Sequence, residues 1–211
     1  MVKSTILLKK LRLDKKEFIT SEEFKSYCKS MQLNYTNTLR YFIHQGYLTR
    51  IFKGIFYVKT LDEHKLGLSK YSHLELVAKG LELKGVENWY FGLYTALKIN
   101  NMTHESFMVD YVVNDKLLRS KPIDIAGYKW KFLKLTPKLL RFGVVEGRLR
   151  HSDVEKTILD FIYLWKYNSV PREKIILDVS EWADNASAEK IRGYAVKYPR
   201  TIQEIADEVL K

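Results

Sequence analysis

Residues 34–58, NYTNTLRYFIHQGYLTRIFKGIFYV, limit the possible folds more than any other stretch of the chain. Leu39, Phe42, Ile43 and Gly46 fall at i, i+3, i+4 and i+7, the spacing of one helix face. Asn37, Thr38, Arg40, Tyr41 and His44 are left on the opposite face. Gly46 then ends the helix, as a glycine just past the C-cap does. Two short strands follow, over 47–52 and 55–59, with Lys53-Gly54 between them. Glycine supplies the positive φ that a tight hairpin turn needs. A helix with a polar outer face leads directly into a hairpin with a basic tip.

The upstream residues complete a small domain. Residues 4–13 (STILLKKLRL) form a short amphipathic segment. Thr20-Ser21-Glu22-Glu23 has the capping-box pattern, with Thr20 as N-cap and Glu23 reaching back. It opens a second helix over 21–31 that carries Phe24, Tyr27 and Cys28 on one side. Helix, capped helix, polar-faced helix and hairpin is the order of a winged helix-turn-helix, with Leu33-Asn34 in the turn before the third helix. In that arrangement the third helix enters the major groove. Asn37, Thr38, Arg40, Tyr41 and His44 form the DNA-facing set. Arginine pairs bidentately with guanine and asparagine with adenine. Asn34 and Thr36 present the helix N-terminus to a phosphate. Arg50 and Lys53 on the hairpin contact backbone or minor groove. One such domain reads few base pairs, so a homodimer on an inverted repeat is expected.

Charge favours a polyanionic partner. The formal net charge is +11, and it is unevenly spread. Residues 1–60 hold 12 Lys and Arg against 4 Asp and Glu; residues 61–150 hold 15 against 10; residues 151–211 hold 9 against 11. The excess lies where the DNA-reading helix is expected, the electrostatic footprint of a phosphate backbone.

The fold class expected is α+β: an N-terminal winged helix over 1–60, a polar linker over 61–71, and a mixed α/β domain over 72–211 with a small sheet and C-terminal helices. Ser72-His73-Leu74-Glu75 starts a helix that runs to Gly85. Trp89-Tyr90-Phe91-Gly92 is an aromatic knot ahead of a helix over 93–101. Strand patterns cover 107–113, 128–135 and 139–145. In 128–135 Trp130 and Phe132 fall on one side, and Lys129, Lys131 and Lys134 nearer the other. Together with Lys116, Arg119 and Lys121 of the preceding loop, these lysines form a candidate basic surface for nucleic acid or an acidic protein. Four helices follow, over 152–167, from Pro171, over 185–196 and over 199–210.

Three segments resemble the AbiEi family, the antitoxin and repressor half of type IV toxin–antitoxin systems. They are Lys53-Gly54-Ile55-Phe56-Tyr57, Tyr90-Phe91-Gly92-Leu93-Tyr94-Thr95-Ala96-Leu97, and Ser152-Asp153-Val154-Glu155-Lys156-Thr157-Ile158-Leu159-Asp160. Their order and spacing fit, with Lys156 where arginine is common in the family. The resemblance implies an autorepressor of a two-gene operon, and an antitoxin opposing a nucleotidyltransferase-like toxin without a stable complex. Two other expectations stand beside it: a solitary winged-helix regulator, and an interaction module without a toxin partner.

Other classes find little support. The five histidines are dispersed, with no HExxH motif, and there is no P-loop and no GxGxxG. One cysteine excludes an intramolecular disulfide and a zinc ribbon, and Cys28 reads as a core residue. Asp110 with Asp124, or Asp153 with Asp160, could be read as carboxylate pairs for acid–base chemistry. Asp153 is better explained at a helix N-terminus. The expectation is a cytoplasmic, non-enzymatic protein with no cofactor, no metal and no membrane segment.

Overall fold

The computed structural model describes residues 2–184 and 186–211. Those residues form ten α-helices and two sheets in a mixed α+β fold. They group into two compact units, Met1–Gly85 with Ile125–Gly127, and Val86–Asp124 with Tyr128–Lys211.

The first unit opens with α1 (Val2–Leu13), β1 (Phe18–Thr20), α2 (Ser21–Ser30), α3 (Tyr35–His44), β2 (Leu48–Phe52) and β3 (Ile55–Val58). The three strands form an antiparallel sheet in the order β1-β3-β2. Thr20 caps α2 in a closed capping box: its hydroxyl accepts from Glu23 N–H at 3.2 Å, and Glu23 accepts from Thr20 N–H at 2.9 Å. Leu7, Leu11, Ile19, Phe24, Cys28, Leu39, Phe42 and Phe56 bury together as the core. Gly54 turns the β2–β3 hairpin at φ +84°, a conformation that L side chains adopt only under strain.

The segment expected as a linker is tied down. Thr60 closes a second capping box with Glu63 on α4 (Leu61–Leu66). Glu63 is buried, and its carboxylate accepts from Tyr57 Oη at 2.5 Å and from Lys70 N–H. Burial pushes Glu63 up, but the Lys70 N–H, Tyr57 and Thr60 hydrogen bonds outweigh it and hold the carboxyl below its usual value. Next, α5 (His73–Leu83) packs on β2, where Gly80 leaves no room for a Cβ against Ile51 and Phe52. The first unit therefore runs to Gly85, beyond the expected boundary at residue 60.

The second unit is built on a six-stranded sheet of order β6-β7-β5-β4-β9-β8. Its strands are β4 (Trp89–Phe91), β5 (Val109–Asn114), β6 (Ile123–Ile125), β7 (Tyr128–Lys134), β8 (Val144–Val145) and β9 (His151–Ser152). Central β4 runs antiparallel to β5 and parallel to β9, while β5 and β7 are parallel. The aromatic knot is thus a fully buried strand. Of the strand expected over 139–145, only β8 is extended; Pro137–Leu140 is a 3-10 turn, with proline in its first turn. The helices are α6 (Leu93–Ile99), α7 (Val154–Tyr167), α8 (Arg172–Ala183), α9 (Ala188–Ala195) and α10 (Arg200–Val209). Asn185, the expected start of the ninth helix, lies outside the described residues; Ser187 caps that helix instead. Tyr90, Val113, Ile158, Phe161, Ile162, Val179 and Ile205 join sheet and helices in one core. Among the described residues no helix is long and apolar enough to cross a membrane.

Candidate nucleic-acid interface

Helix α3 presents Asn37, Arg40, Tyr41 and His44 on one exposed stripe, at i, i+3, i+4 and i+7. Asn34 caps the helix, its Oδ1 accepting from Asn37 N–H at 3.0 Å, so the oxygen of its carboxamide is already engaged. Thr36 is exposed beside it. Among the described residues none pairs with the Arg40 guanidinium. Tyr41 packs edge-on against Phe42 and Tyr47, with ring centroids 6.0 and 6.4 Å away, which fixes its direction.

Thr38 does not belong to this surface. It is 6% exposed, because each residue turns the helix about 100° and Thr38 falls on the arc shared by Leu39 and Phe42. Burial pushes the Cys28 thiol up, and Thr38 partly pulls it back.

The hairpin contributes two cations. The Arg50 guanidinium is exposed and lies 5.8 Å from the Phe56 ring centroid, a cation–π contact that orients it. Lys53 is exposed at the tip. Ser21 N–H donates to Gly54 O at 2.8 Å, so the turn is anchored to the start of α2. The register shifts between Arg50 and Phe52, leaving Ile51 as an extra residue that bends β2.

In the second unit, Lys116, Arg119 and Lys121 are exposed on the β5–β6 loop. Buried Asn114 shapes that loop: its Oδ1 accepts from Lys116 N–H at 2.9 Å, and its Nδ2 donates to Leu117 O and Leu133 O. Lys129 is exposed and Lys131 half-buried on one face of β7. Lys134 departs from the expected grouping. Strand alternation puts it on the parity of Trp130 and Phe132, and it remains exposed only because the strand ends there.

The 152–160 segment is an interior network rather than an open site. Lys156 and Asp160 are both wholly buried, one turn apart on α7, with Nζ 2.9 Å from Oδ1. Asp160 also accepts from Tyr198 Oη at 2.7 Å and from Tyr90 Oη at 2.6 Å. The Lys156 ammonium donates to Tyr198 Oη at 3.0 Å and lies over the Phe142 and Tyr90 rings at 4.6 and 5.0 Å. Burial pushes Lys156 below its ordinary value, with Asp160 opposing; burial and then Asp160's charge push both tyrosines well up. Gly143, at φ +61°, makes the enclosure possible, since a Cβ there would stand 2.7 Å from Lys156 Cβ. Around it, Asp153 caps α7 at Lys156 N–H and also binds Lys190 and Tyr194. Buried Glu155 takes Lys190 at 2.8 Å.

The suggested carboxylate pairs do not converge on a common point. Asp110 is buried and accepts from Thr95 Oγ1 at 3.0 Å, whereas Asp124 is exposed. Asp153 and Asp160 bind the backbone and the side chain of Lys156 respectively. Among the described residues no group of three or more His, Cys, Asp and Glu could hold a metal ion. The i, i+4 spacing of Lys156 and Asp160 was visible in the sequence; Tyr90, Phe142 and Tyr198 were not linked to it by any local pattern.

No protein-family model matches the chain, and no curated protein does. Among solved structures, it is similar to the crystal structure of the RV2827C protein from Mycobacterium tuberculosis, with a TM-score of 0.62 at 11% identity, over 100% of this chain and 76% of that one. At that identity the likeness is one of fold.

Proposed function

We propose that the protein binds double-stranded DNA sequence-specifically through α3 and the β2–β3 hairpin, as a winged-helix repressor. The observation that carries this reading is the exposed stripe Asn37, Arg40, Tyr41 and His44, followed within ten residues by the basic hairpin tip. The element order α1-β1-α2-α3-β2-β3 and sheet order β1-β3-β2 support this reading. On this reading Arg40 and Asn37 read base edges, while Arg50 and Lys53 position the backbone. The AbiEi resemblance extends the proposal: the protein represses its own operon and is the antitoxin to a nucleotidyltransferase-like toxin. The 152–160 motif then serves folding of the second unit, because its charged groups are spent internally.

The test is titration of the full chain with its own upstream duplex and with a scrambled duplex, over a salt series. A strong preference for the upstream duplex with a steep salt slope supports the proposal. Equally weak binding to both removes it. Loss of toxin neutralisation in an Arg40 variant that remains folded would show that repression and antitoxin activity are inseparable.

A further inference from the structure

A cleft of about 610 Å³ opens in the second unit, where α6, the 100–108 loop, α7 and α8 meet. That volume is in the range of small-molecule sites. Its wall is aromatic, formed by Tyr94, Phe107, Trp165 and Trp182. The rings make a continuous packed run: Tyr94 and Phe107 centroids are 4.5 Å apart, Trp165 and Trp182 5.9 Å, and Phe161 behind them touches both indoles and Tyr94. This packing fixes the rings before any ligand arrives.

The charged residues of the cleft are Glu105, Asp178 and Glu181 against Lys174 alone, which leaves an excess of two negative charges. Helix α8 sets Lys174, Asp178 and Glu181 at i, i+4 and i+7, one above another on the face that also carries Trp182. Lys174 is tied to Asp178 at 2.7 Å. Burial raises the Tyr94 phenol, and the negative charges of Asp178 and Glu105 raise it further, so carboxylates from two elements act on one ring.

Aromatic faces are electron-rich and attract cations, and partial desolvation in a cleft strengthens that attraction. Carboxylates on the rim accept N–H groups and repel phosphate. A neutral apolar ligand uses the rings and none of the acids. We infer that this cleft binds a small organic cation of the guanidinium or alkylammonium type, its flat or alkyl part on the indoles and its N–H groups on Asp178, Glu181 and Glu105. The inference does not depend on the DNA-binding proposal, since all these residues lie in the other unit.

The full chain is titrated with agmatine, which carries a guanidinium and an ammonium, with tryptophan emission and calorimetry as readouts. Trp89 and Trp130 are buried, so Trp165 and Trp182 should report, and Trp182→Phe checks that attribution. Expected is saturable, submillimolar binding that weakens with salt and weakens at least about tenfold in Asp178→Asn/Glu181→Gln. Circular dichroism establishes that the double variant is folded. The inference is overturned by no saturable response, by equal binding of a neutral alcohol of similar length, by preference for a nucleotide, or by undiminished binding in the folded double variant.

Discussion

Arg40 on α3 and Lys156 on α7 are both basic residues of amphipathic helices, and the fold treats them in opposite ways. Arg40 points into water with no internal partner among the described residues. Lys156 is 0% exposed, hydrogen-bonded to Asp160 and Tyr198 and enclosed by aromatic rings. An exposed charge adds little to stability and stays available to a partner. An enclosed charge has surrendered its hydration and is held only by its cage, so it offers nothing to a partner and punishes any damage to that cage. The difference separates a charge spent on architecture from one left available to a partner: a basic residue in the sequence does not by itself mark a binding surface.

The sharpest test of the architectural side is Asp160→Ala. It should cost about 3–5 kcal/mol, read as a lower denaturation midpoint, because an ammonium remains buried without its counter-ion. Lys156→Met with Asp160→Leu should recover most of that loss; failure to recover would mean that the tyrosines, rather than the charge, hold the network. On the recognition side, Arg40→Ala should weaken upstream-duplex binding by about 1–3 kcal/mol. Its unfolding midpoint should move by no more than about 0.5 kcal/mol. A large stability loss would break the contrast between the two residues.

Smaller effects should refine it. Burial raises the Glu155 carboxyl, but the hydrogen bonds from Lys190 and Ser187 N–H prevail and lower it overall. A depressed carboxylate contributes stability that is complete above the ordinary glutamate value of about 4.5 and is lost as pH falls through the lower folded value. Glu155→Gln should therefore cost about 1 kcal/mol at neutral pH and much less at pH about 3, as urea midpoints at the two pH values would show. Smallest of all, Lys53→Ala should reduce the salt slope of DNA binding by about 1 without changing sequence preference. A change in preference would move Lys53 from positioning to base reading.

What the sequence disclosed was local. Capping boxes at Thr20 and Ser72, the α3 stripe and the Lys53-Gly54 turn are written in residues three or four apart, and the structure places them there. The Thr60-to-Glu63 spacing carried the same signal, overshadowed by the polar composition around it. Three-residue strands left no period to read, and in β4 Trp89, Tyr90 and Phe91 are all buried, so alternation is absent. Thr38 was misplaced because it borders the buried arc, where composition argues for solvent and geometry for the core. The Lys156 cage was illegible for a different reason: Tyr90 and Tyr198 lie 70 and 38 residues from Asp160. The aromatic cleft likewise gathers α6, α7, α8 and a loop that no local spacing connects.

The same separations set an order of events during synthesis. The sheet of the first unit needs only residues 18–58, so its strands are all present once Val58 has left the ribosome. The central sheet of the second unit waits for Phe91 to meet His151, and Asp160 waits longer still for Tyr198. A nascent chain halted between those two residues would carry the Lys156–Asp160 pair with Tyr90 but without Tyr198, and would be a target for quality-control proteases. The strands and helix proposed to meet DNA, by contrast, are complete while most of the second unit is still untranslated.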